Sequence, residues 1–226
     1  MISGMDLQLA DSTVLLLGPG DELDRAILRA LSSEGAWTYA TTTSSSTTDL
    51  TQHGDTASHW VATEDDVNEF TVARINNFLT ARGRPATSII LHVDAISALA
   101  SRGPIRWWRF RSEAKSVMRS ASDVLLGAAP SEERSLLLVY QLNDDTELPV
   151  ASRWLQRIMS TTIKRARPGA RVNSILVGAG DVDPDAATMI SVLSSPISRR
   201  ITGALIPMDD GALARDFAQF DLEELR

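Results

Sequence analysis

The sequence predicts an α/β fold: a doubly wound, parallel seven-stranded sheet with helices on both faces. Three observations predict it. Short runs such as TVLLL and SLLLVY are nearly continuous in apolar residues, which marks strands covered on both faces rather than one. Segments with apolar residues at helical spacing separate those runs. No internal repeat and no linker interrupts the 226 residues, so they form one domain with a short tail from about residue 212.

The elements follow in order. Thr13–Leu17 is the first strand, and Leu23, Ala26, Ile27, Ala30 and Leu31 then recur at helical spacing until Gly35 closes the helix. Residues 37–41 give a second strand, and TTTSSSTT at 41–48 a low-complexity loop. Residues 60–62 form a short third strand, 67–81 a helix and 88–93 the fourth strand. The segment 105–126 is helical, with Val117, Met118, Ala121, Val124 and Leu125 on one face. Strands at 135–140, 171–177 and 204–207 alternate with helices at 151–165 and 186–193.

Composition narrows the chemistry. Acidic residues outnumber basic ones, 29 to 22, and the net charge of −7 argues against nucleic acid as a partner. Arginines near 106–111 and 165–171 are expected on solvated helix faces. The absence of cysteine excludes disulfides, thiolate metal sites and a cysteine nucleophile. His53, His59 and His92 lack metal-ligand spacing, so no metal site is expected. Without a long apolar run or a basic leader ahead of an apolar core, the expectation is a soluble cytoplasmic protein with no membrane partner.

A doubly wound sheet binds ligands at the carboxyl ends of its strands, where the strand order reverses. The turn after the first strand, GPGDELDRA, is therefore the place to look for a ligand. A dinucleotide turn uses glycines to turn tightly, to admit the pyrophosphate and to seat helix on strand, and the helix N-terminus then faces the anion. Gly18 and Gly20 remain here, but Glu22 and Asp24 stand where the later glycines belong. Asp21 is the candidate N-cap. A carboxylate about 4 Å from a phosphate charge is repelled by roughly 4 kcal/mol at an effective dielectric near 20. Acids at this end of a helix stabilise it by about 0.3–1 kcal/mol each. The expectation is that they cap the helix and fill the phosphate space.

Three segments carry a resemblance: LLGPGDELDRAILRALSSEGA, PGARVNSILVGAGDVD with Asn173, and LSSPISRRITGALIPMDDGALA with Ile201-Thr202-Gly203 and Asp209-Asp210-Gly211. In order and spacing they resemble the short-chain dehydrogenase/reductase family, whose fold is Rossmann-like, over nearly the whole chain. The resemblance implies a Tyr-x-x-x-Lys pair after strand five, but PVASRWLQ puts Pro149 at the Tyr position and Arg153 at the Lys position. Proline has no acid–base group, and arginine does not give up its proton. Gln141 stands near the position of the family's catalytic serine. His92–Ala95, HVDA, replaces the family's NNAG, and no residue matches its helical asparagine. After strand six, Val177-Gly178 and Val182 replace the family's Pro-Gly and Thr, and the interval from Gly178 to Thr202 is short for its substrate lid.

Joint loss of these features implies no catalytic residues and no NAD or NADP site. The expected role is a non-catalytic subunit paired with an active dehydrogenase of the same fold. In this family the helices before and after strand five pack against a partner subunit. The matching segments, 105–126 and 151–165, carry Trp107, Trp108 and Trp154, expected either at that interface or as filling for the vacated site. A homo-oligomer is also open. Two alternatives stand: a divergent NAD(P)-dependent oxidoreductase using Tyr140 as its acid, and a module sensing a small cation or amine. The tail ALARDFAQFDLEELR offers Leu213, Phe217, Phe220 and Leu225 as an apolar helical face for docking.

Overall fold

The computed structural model describes residues 7–43, 58–63, 67–92, 115–123, 133–142, 148–164, 169–178 and 184–208. Its strands are β1 (Thr13–Leu17), β2 (Trp37–Thr43), β3 (Ser58–Thr63), β4 (Ser88–His92), β5 (Arg134–Gln141), β6 (Ala170–Val177) and β7 (Leu205–Met208). Its helices are α1 (Glu22–Ser33), α2 (Glu69–Ala81), α3 (described over 115–123), α4 (Leu148–Ile163) and α5 (Pro184–Ser194), with a 3₁₀ turn at Pro196–Ser198.

All neighbouring strands pair in parallel, in the order β3-β2-β1-β4-β5-β6-β7. The apolar runs divide by parity, because successive side chains of a strand leave on opposite faces. Leu15, Leu17, Ile89, Leu91, Leu136 and Leu138 face α2, α3 and α4. Val14, Leu16, Ile90, Leu137, Val139 and Ile175 face α1 and α5. Leu7 and Leu9, ahead of β1, are buried in that second core.

Against the sequence expectation, β2 runs on to Thr43, into the stretch expected as a loop from 41, and β3 spans Ser58–Thr63 rather than 60–62, because the two pair in parallel from Thr38–Ser58 to Thr43–Thr63. Two helix starts moved as well. The α4 helix begins at Leu148 rather than at 151, taking Pro149 into its first turn, where the missing N–H costs no hydrogen bond. The α2 helix begins at Glu69 rather than at 67, because Asn68 caps it with bonds from the Phe70 and Thr71 N–H groups, both 3.0 Å.

The β6–β7 region is held by side chains from the segments that carry the family resemblance. Asn173 donates to the Ile201 carbonyl (2.9 Å) and accepts from the Ala204 N–H (3.1 Å). The Thr202 hydroxyl accepts from the Val172 N–H, and Gly203 turns between them at φ +78°. One residue before this clip, buried Arg171 donates from Nη1 to the carbonyls of Leu193 and Ser195 and to the Ser198 hydroxyl. Burial holds its guanidinium pKa below the usual value, against the opposing pull of Glu133.

Candidate functional site

The strand order reverses beside β1, so the carboxyl ends of β1 and β4 flank the crevice where this architecture takes ligands. The β1–α1 turn fills its own side of that crevice. Asp21 is extended (φ −76°, ψ −170°), and its Oδ1 accepts the Asp24 N–H at 2.9 Å, the expected N-cap. Asp24 is fully buried, and its Oδ2 accepts the Gly20 N–H at 2.7 Å. Its other oxygen, Oδ1, lies 2.9 Å from Nδ1 of His92, the last residue of β4 and also fully buried. Asp21 Oδ2 stands 3.8 Å from the same nitrogen.

With Asp24 ionised, Nδ1–H of His92 donates to it, a charge-assisted bond in a site closed to water. The carboxylate thus receives a backbone N–H at a helix N-terminus and a side-chain N–H from across the sheet. Both are donors of the kind that an external anion would use at such a turn. Asp21, Asp24 and His92 can each offer one ligand atom within 4.8 Å of the others, and among the described residues they are the group whose chemistry would suit a cation. Local spacing does not bring His92 to these acids, since it is 68 residues from Asp24 in the chain; the β1–β4 pairing does.

The two glycines of the turn answer to this filling. A side chain at Gly18 would collide with the Asp24 carboxylate. One at Gly20 would meet Thr42 and would need φ +84°. The Thr41 hydroxyl locks the turn to β2, accepting from the Gly18 N–H and donating to the Gly18 carbonyl, both at 2.9 Å.

Of the two acids expected to fill the turn, Asp24 goes inward and Glu22 does not: Glu22 is exposed. Two residues along a helix are about 200° apart, so both cannot face the turn. Trp154 is core filling. It is only 7% exposed, its ring lies 6.3 Å from that of Tyr140, and little of it is left for a partner to cover. Tyr140 is buried against it, Gln141 is half-buried at the end of β5, and Arg153 is exposed on α4. The helical backbone of α4 includes Pro149, whose side chain, like Trp107, Trp108, Val182, His53 and the side chain of His59, lies outside the described residues. The turn and the histidine thus come together, whereas Arg153 stands apart from them on another element.

A parallel sheet in this order, with helices on both faces and a glycine turn after β1, defines a doubly wound, Rossmann-type domain. No family model and no curated protein matches the chain. Solved structures narrow the class. The chain is similar to an oxidoreductase of the short-chain dehydrogenase/reductase family from Burkholderia thailandensis, with TM-score 0.68, 19% identity, and coverage of 92% of this chain and 96% of that one. It is similar to BdcA (YjgI) from E. coli, with TM-score 0.66, 20% identity, and coverage of 88% and 98%. It is similar to 2-keto-3-deoxy-D-gluconate dehydrogenase from Streptococcus agalactiae, with TM-score 0.70, 12% identity, and coverage of 91% and 95%. The chain therefore has the fold of the short-chain dehydrogenases/reductases, and at these identities the likeness is one of fold.

Proposed function

We propose that this chain is a non-catalytic relative of the short-chain dehydrogenases, working as a structural or regulatory subunit beside an active enzyme of the same fold. The observation that carries the reading is the Asp24 carboxylate seated on the Gly20 N–H and tied to His92. A dinucleotide phosphate arriving at this turn meets a buried negative charge already holding the donor it needs. The replacement of the family's acid–base pair by Pro149 and Arg153 points the same way. So does the burial of Tyr140 against Trp154, which argues against that hydroxyl as a substitute acid.

Titration calorimetry with NAD(H) and NADP(H) tests the first half of the reading. No heat of binding is expected, and micromolar affinity for either cofactor would overturn it. The second half is tested by purifying the tagged chain from its native cell: a catalytic homologue carrying Tyr-x-x-x-Lys should accompany it in fixed proportion. A stable homo-oligomer without such a companion would count against the subunit role.

A further inference from the structure

We draw no further inference here: the strongest candidate, the surface patch on the outer face of α2 where Phe70, Arg74, Phe78 and Arg82 stand exposed beside Trp37 and Arg84, carries nothing further because nothing in the structure shows what covers it.

Discussion

The β1–α1 turn and the β6–β7 clip both lie in segments whose sequence resembles the short-chain dehydrogenases, and the two are built differently. In the clip, Asn173, Thr202 and Gly203 hold β6 to the approach of β7 through side-chain-to-backbone bonds and a left-handed turn. In the turn, Asp24, Thr41 and Thr42 fill or fasten the space around Gly18 and Gly20. One region retains a structural task. The other packs the Asp24 carboxylate beneath its own glycine turn. Sequence similarity at a glycine turn therefore reports backbone geometry, and occupancy has to be read from the side chains that face it.

The comparison can be broken by substitution. The largest expected effect is at Asp24. Changing it to Ala removes the acceptor nearest His92 Nδ1 and the acceptor of the Gly20 N–H, and should destabilise the fold by about 3–5 kcal/mol in urea melts. Combining it with His92→Ala should cost less than the two single changes summed, by about 0.5–3 kcal/mol, if the pair acts as a unit. Additive losses would mean that the two residues act separately. Next comes Asn173→Ala, which removes both clip bonds and should cost about 1–3 kcal/mol without altering the turn. Asp21→Ala removes the N-cap and should cost about 1 kcal/mol by the same melts. Least of all is Glu22→Gln, on an exposed side chain: its denaturation midpoint should match that of the parent, and a clear shift would restore Glu22 to the interior of the turn.

Much of this architecture is legible in sequence because it is written locally. The apolar run Thr13–Leu17 needs only its own composition to be read as a buried strand, and Asp21 needs only its place before Leu23 and Ile27 to be read as a cap. The partner of Asp24 is not written that way. His92 carries no local signal beyond standing at the end of an apolar strand, and only the adjacency of β1 and β4 makes it a neighbour. The same holds for Trp154, whose helix shows an apolar face but not whether sheet or partner will cover it. Glu22 and Asp24 look equivalent in the string GDELD, yet helix rotation sends them to opposite environments.

On the proposed reading that this turn excludes a dinucleotide, its filling also changes what engineering a cofactor site here would require. Adding donors or positive charge would not be enough, because the donor is present and engaged. The task is excavation: the Asp24 carboxylate has to be removed from beneath the loop, and His92 must then be given another acceptor or replaced by something apolar of similar volume. A nucleotide pocket in this protein would begin as a repacking problem in the core, and only afterwards become a problem of recognition.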